Sequence, residues 1–187
     1  MECRESTVEI HFQKIASMTL KDSSKPVSAV QHLINTRVLT AITPWREDCL
    51  NQIAKSLGTE WDIAVSTDHV VIGIPRPPRM RGFSPSLAAY GLHCNITDPS
   101  SLYPALVEAL THELDDHKYH NAAVTHDSQV QVDFTARMSA SYLADDNSLV
   151  ETNQYLYHDA KENVVWAVIE ANAADEGRVV LDTLRNC

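Results

Sequence analysis

The stretch from Gln129 to Ala173 constrains this chain more than any other. Val130, Val132, Phe134, Ala136, Met138, Ala140 and Tyr142 are apolar at every second position, and the residues between them are polar or small. A period of two marks a strand with one buried face, and a strand this long needs a sheet to lie in. The cluster from Ala144 to Ser148 supplies turn residues. Leu149 to Tyr157 and Val164 to Ala173 then read as two more strands, separated by a polar turn from His158 to Asn163. The expectation is a three-stranded antiparallel meander.

The chain ahead of the meander mixes both periods. Val8, Ile10 and Phe12 alternate as in a short strand, and Lys21 to Lys25 form a loop. Pro26 suits a first helical turn capped by Ser24 or Lys25, and Val27, Val30, Ile34, Val38 and Ala41 predict a helix as far as Ala41. A second helix is predicted from Thr43 as cap and Pro44 as first residue. Glu47 and Asp48 lie at its positive end, Trp45, Cys49, Ile53 and Leu57 form one stripe, and Gly58 closes it. Trp61 to Ile74 reads as a hairpin turning at Thr67-Asp68 or as a bent strand, and Leu87 to Cys94 as a strand. Asp98-Pro99 opens a helix that runs to Leu114 and buries Leu102, Ala105, Leu106, Ala109 and Leu110. Asp175-Glu176 start a last helix with Val179, Val180 and Leu184 inward and Leu181 as a further candidate for that face. The fold class is therefore α+β: an antiparallel sheet with a C-terminal three-stranded meander, flanked by helices. Residues 1–60 form a two-helix N-terminal extension and residues 61–187 the sheet domain.

Composition removes several functions. With only 5 glycines and no GxGxxG or GxxxxGK[ST], no phosphate-cradling loop is present. A formal charge of −10 opposes binding to nucleic acid or to an anionic membrane. No run of about 18 apolar residues exists to span a bilayer. Arg76, Arg79 and Arg81, set among Pro75, Pro77 and Pro78, form the one basic segment. It reads as a partner contact or as a solvated loop held extended by its prolines, and the acidic balance favours the loop. Cys3, Cys49, Cys94 and Cys187 lack any CxxC spacing and read as isolated thiols. With no apolar leader in the first residues, the expectation is a reduced, cytoplasmic protein; a chain shorn of a leader would look the same and be secreted or lipid-anchored.

Candidate chemistry gathers between Thr111 and His120. His112 and His117 are five apart and point roughly 140° away from each other on a helix, so this is not the HExxH of zinc proteases. Glu113, His117 and His120 would share a face and are the candidate metal ligands; the competing reading is a wet helix end whose histidines suit the negative dipole. No resident cofactor is expected. His93-Cys94 invites a thiol nucleophile, but buried cysteine is more often a small apolar core residue. Tyr142, Tyr155, Tyr157 and Trp166 fall on adjacent strands. On one sheet face such rings either pack under a helix or line a partner-binding groove.

The order of elements from Trp61 to Cys187 resembles a known family. Ile72-Gly-Ile-Pro75 ends a strand pair, Phe83-Ser-Pro-Ser-Leu87 leads into a strand, and a helix spans Leu102 to Leu114. Gln154-Tyr-Leu-Tyr157 and Val164-Val-Trp-Ala-Val168 follow in the meander, then Val179-Val-Leu-Asp-Thr-Leu184 in the closing helix. This is similar to the PsbP-like fold, and within it to the LpqN/LpqT-type actinobacterial proteins, whose loop reads roughly Phe-x-Pro-Asn; Ser86 stands where that Asn would be. The resemblance implies a small sheet sandwiched by helices, used for binding and assembly rather than catalysis, and carries over no catalytic residues. It departs from the lipoprotein members in that Cys3 has no apolar segment before it. The leading expectation is a non-enzymatic protein-binding module, accessory or chaperone-like. Its contact residues for another protein would be Tyr142, Tyr155, Tyr157, Trp166, Arg76, Arg79 and Arg81. The alternatives are a metal-dependent hydrolase using the His112–His120 cluster and a small-molecule carrier with an apolar pocket between sheet and helices.

Overall fold

The computed structural model describes residues 28–66, 69–76, 85–116, 119–127, 133–144, 147–173 and 175–187. Among them, eight strands make one sheet: β1 (Leu39–Thr43), β2 (Trp61–Val65), β3 (Val71–Pro75), β4 (Ser86–Cys94), β5 (His120–Asp127), β6 (Asp133–Leu143), β7 (Leu149–Asp159) and β8 (Val164–Ala171). The helices are α1 (Ala29–Asn35), α2 (Glu47–Leu57), α3 (Pro99–Asp116) and α4 (Glu176–Asn186). All pairings are antiparallel, in the order β2-β3-β4-β8-β7-β6-β5. β8 takes one edge of β4; β3 and β1 share the other end to end, against Leu87–Ala89 and Gly91–Cys94. The expected meander is present as β6-β7-β8, and the fold is α+β with helices flanking an antiparallel sheet.

Alternation along the strands gives the sheet two apolar faces, and each carries two helices. On one face Ala29, Val30 and Leu33 of α1 and Leu102, Leu106, Ala109 and Leu110 of α3 meet Leu92, Met138, Leu156 and Val165. On the other, Cys49, Ile53 and Leu57 of α2 and Val180, Leu181 and Leu184 of α4 meet Leu87, Tyr155, Tyr157 and Val168. Each such side chain contributes about 1.5–3 kcal/mol by leaving water, so both layers are needed to hold the sheet. Residues 28–60 supply one strand to the sheet and one helix to each face.

Several expectations are corrected. The helix read through to Ala41 ends at Asn35, because Arg37 turns into the left-handed region at φ 60. Val38 N–H donates to Leu33 C=O at 2.9 Å and Arg37 N–H to Ile34 C=O at 3.0 Å, the bond pair that closes a helix and reverses the chain. The following Leu-Thr-Ala-Ile-Thr is rich in β-branched residues and joins the sheet as β1. Thr43 therefore ends a strand instead of capping α2, whose cap is Arg46; Glu47 and Asp48 in the first turn and Gly58 at φ 74 stand as expected. β5 was not expected at all.

The cysteines are also corrected, since Cys49 and Cys187 form a disulfide with Cα atoms 5.6 Å apart. A sequence separation of 138 residues hid that pairing. Cys94 is free and buried, and Cys3 lies outside the described residues. So do the expected strand at Val8 to Phe12, the Thr67-Asp68 turn, Arg79, Arg81, His117, Val130 and Val132.

Glycine matters where two tryptophan rings approach the backbone. A Cβ on Gly91 would sit 2.8 Å from the Trp166 ring, and one on Gly73 would sit 3.0 Å from Trp61. Trp166 thus lies flat on the β4 backbone and is covered in turn by Trp45, ring centroids 4.5 Å apart. Among the described residues no helix is long and apolar enough to cross a membrane.

Candidate functional site

Among the described residues, the helices of the α2/α4 face gather over one part of the sheet. The register sets Arg137 opposite Tyr155, Ser139 opposite Asn153 and Leu143 opposite Leu149, so these residues share that face. The buried residues of α2 and α4 cluster with β3, β4, β7 and β8, and no described helix packs on the β5-β6 side of that face. Along the border of α4 runs a chain of polar groups. Glu170, 1% exposed on β8, accepts from Gly177 N–H at 2.6 Å, from the Asn153 amide at 2.6 Å and from the Tyr155 hydroxyl at 3.3 Å. Asn153 Oδ1 in turn accepts from Arg137 Nη2 at 2.8 Å and from Ser139 Oγ at 2.7 Å. Arg137 also lies over the Tyr155 ring, 5.4 Å from its centroid.

Burial raises the Glu170 carboxyl above its usual range, and the three donors only partly offset this. The same burial, with Glu170 beside it, pushes the Tyr155 phenol up to about 12. The geometry requires Gly177, because a Cβ there would come within 2.7 Å of Glu170 Oε2. The network fixes the first turn of α4 to the sheet, and its Arg137 and Ser139 end borders the β5-β6 side. Leu143 and Leu149, 56% and 57% exposed, close the β6-β7 hairpin further along the same face.

The expected contact residues are dispersed. Tyr155 and Tyr157 are buried in the α2/α4 layer, with Arg185 over the Tyr157 ring, and Trp166 is half-buried. Tyr142 is corrected to the opposite face, since its register with Val150 gives it the other parity; it meets Tyr119 edge-on at 6.1 Å. Arg76 is exposed and ion-paired with Asp62.

Of the expected metal ligands, Glu113 is buried and accepts from Ala29 N–H at 2.7 Å and from the Tyr119 hydroxyl at 3.3 Å. His120 stands on β5 rather than on a helix, because α3 ends at Asp116. His112 meets His32 of α1 in a tilted ring contact, centroids 4.6 Å apart. Among the described residues no three His, Cys, Asp or Glu side chains are placed to hold a metal ion. Burial pushes the Cys94 thiol up to about 11, which leaves little thiolate at neutral pH.

Sequence reasoning missed Arg137, Ser139, Asn153 and Glu170. A signal was present: Glu170 is the one charged residue in the apolar run Val164–Ala171, and a carboxylate inside a buried strand calls for partners. The partners themselves follow only from strand register.

Fold and site together define an antiparallel sheet with helices on both faces and, among the described residues, no helix over one side of one face. No protein-family model matches the sequence, and no curated protein matches it. The crystal structure of LpqN, involved in cell envelope biogenesis of Mycobacterium tuberculosis, is similar over 68% of this chain and 74% of that one, with 14% identity and a TM-score of 0.44.

Proposed function

We propose that the protein is a protein-binding module whose contact surface is the β5-β6 side of the α2/α4 face. The observation that carries this is the Leu143–Leu149 pair, two exposed leucines directly opposite each other at the end of the hairpin. Isolated exposed leucines are ordinary, but a directly facing pair, with an ordered arginine further back along the same face of β6, offers an apolar anchor and a polar one to a partner. Arg137 is held in place by Asn153 and Tyr155, so little side-chain entropy is lost when a partner meets it. Trp166, half-buried against Trp45, and Arg76, beyond β3 at the other end of the sheet, lie apart from this surface. The Cys49–Cys187 disulfide supports a place in an oxidising compartment instead of the cytoplasm.

The test is affinity capture from the source organism at low and high salt, comparing wild type with a Leu143→Ser/Leu149→Ser variant. Both positions are exposed, so the variant should fold with unchanged thermal stability. A partner held by wild type at both salts and lost by the variant is the expected result. Capture of the same partner at full affinity by the variant would show that the surface lies elsewhere.

A further inference from the structure

The border between α4 and β6 carries two arginines in matching positions. Tyr155 and Tyr157 lie two residues apart on β7 and face α4, so their rings stand about 7 Å apart along the strand. Arg137 comes from β6, directly opposite Tyr155, and its guanidinium is 5.4 Å from that ring's centroid. Arg185 comes from α4, lies 5.5 Å from the centroid of the Tyr157 ring, and donates from Nη2 to Thr135 Oγ1 at 3.0 Å. Thr135 is the β6 residue directly opposite Tyr157. The helix thus brings Arg185 to the place a long side chain at position 135 would fill, one strand repeat along from Arg137.

Ring and hydrogen bond order each side chain without neutralising it. Arg137 donates to Asn153 Oδ1 from Nε at 3.3 Å and from Nη2 at 2.8 Å, and Asn153 is a neutral amide. Among the described residues no carboxylate forms an ion pair with Arg137. Arg185 meets Asp182 at 3.0 Å, three residues back on the same helix, and a solvent-facing pair of that kind contributes little. Asp175 acts electrostatically on Tyr155 and Glu170 but pairs with neither arginine. Arg137 is half-buried and Arg185 exposed, so solvent reaches both. In a chain of formal charge −10, two ordered cations side by side stand out against the prevailing sign.

We infer that Arg137 and Arg185 form a receptor for an extended partner segment carrying carboxylates at two alternate positions, one for each guanidinium. The inference rests on the protein-binding reading above and names the chemistry of the partner. Side chains at alternate positions of an extended segment point the same way and repeat at about 7 Å, the spacing of the two tyrosine rings. A guanidinium takes a carboxylate through two parallel N–H donors, which fixes the direction of approach as well as the charge. Cations that are already ordered lose little side-chain entropy when the partner arrives.

The probe is the N-acetylated, C-amidated peptide Ala-Glu-Val-Glu-Ala, with analogues in which one or both Glu are replaced by Gln. Each is titrated against the full chain at low salt and read by ligand-observed NMR. The peptide with both Glu should bind about tenfold tighter than the one with neither, and the single replacements should fall between. Arg185→Gln should make the two-Glu peptide bind no better than one of the single replacements. Arg137→Lys, which keeps the charge and loses the fork, should weaken the two-Glu peptide several-fold. Arg76→Gln, a charge removed at the far end of the sheet, should change nothing. Equal binding of all four peptides, or no binding at millimolar concentration, overturns the inference. So does an equal loss in Arg76→Gln, which would mean attraction by overall charge, or tighter binding of inorganic pyrophosphate, which would mean a phosphate site. The leucine variant separates this inference from the reading it rests on. A partner lost by Leu143→Ser/Leu149→Ser while the four peptides bind alike leaves the module standing and removes the carboxylate receptor. A graded peptide series with no partner lost by that variant does the reverse.

Discussion

Both faces of the sheet bury a glutamate that holds the first turn of a helix, but they do so from different places. Glu170 comes from the sheet itself and draws α4 onto it, together with Asn153 and Tyr155 of β7. Glu113 comes from α3 and binds α1, so on that face the polar bond joins helix to helix. The α2/α4 layer is further tied by the Cys49–Cys187 disulfide, whereas the single free thiol among the described residues, Cys94, lies under α1 and α3. One layer is fastened to the sheet by polar bonds and within itself by a disulfide. The other is fastened within itself and rests on the sheet mainly through apolar contact.

The largest test of that contrast is Cys187→Ser. Opening a link across 138 residues should cost about 4 kcal/mol. Native-state hydrogen exchange should quicken in α2 and α4 well before α1 and α3; equal acceleration in all four helices would dissolve the distinction. Next comes the pair of glutamates. Glu170→Ala strands donors on two sheet residues and on Gly177 and should cost about 3 kcal/mol, against about 2 kcal/mol for Glu113→Ala, by chemical denaturation. A reversed order would mean that the α1/α3 layer is the better fastened.

A smaller effect appears in the pH dependence. The Glu170 carboxyl is raised above its ordinary 4.5 by burial, so the folded state holds its proton more tightly than the unfolded chain does. Its contribution to stability is therefore present in full below pH 4.5 and declines as pH rises through the folded value, the reverse of a salt-bridged carboxylate. Wild type minus Glu170→Gln, measured across that window, should slope downward with pH; a flat or rising difference would place the carboxyl in a more favourable setting than its burial implies. The smallest change should come from Arg37→Gly. It relieves a left-handed backbone at φ 60 and should raise stability by roughly 0.5 kcal/mol, sharpening the turn from α1 into β1.

What could be read from the sequence was whatever repeats locally. The meander shows because period-two patterning over Phe134 to Tyr142 cannot be mistaken for a helix, and α3 shows because Leu102, Leu106 and Leu110 recur at its turn. β1 was hidden because Val30, Ile34 and Val38 keep helical spacing past the point where Arg37 reverses the chain. β5 was hidden because His-Asn-Ala-Ala-Val-Thr-His-Asp is an exposed edge with little to bury. The site was less legible still. Arg137, Asn153 and Glu170 come from three strands, and only register brings them together. Tyr142 failed for the same reason, since which face a residue occupies depends on the parity of its pairing.

The paired tryptophans give the protein an optical gauge of its own assembly. Trp45 sits in the segment ahead of α2 and donates from its indole to His69 C=O, while Trp166 is fixed to β8 and pressed onto Gly91. Two indoles in such contact couple their electronic transitions, and the resulting near-ultraviolet dichroism exists only while the α2 segment rests on the sheet. Because the contact joins residues far apart in sequence, the signal reports tertiary docking rather than helix content. It needs no added label.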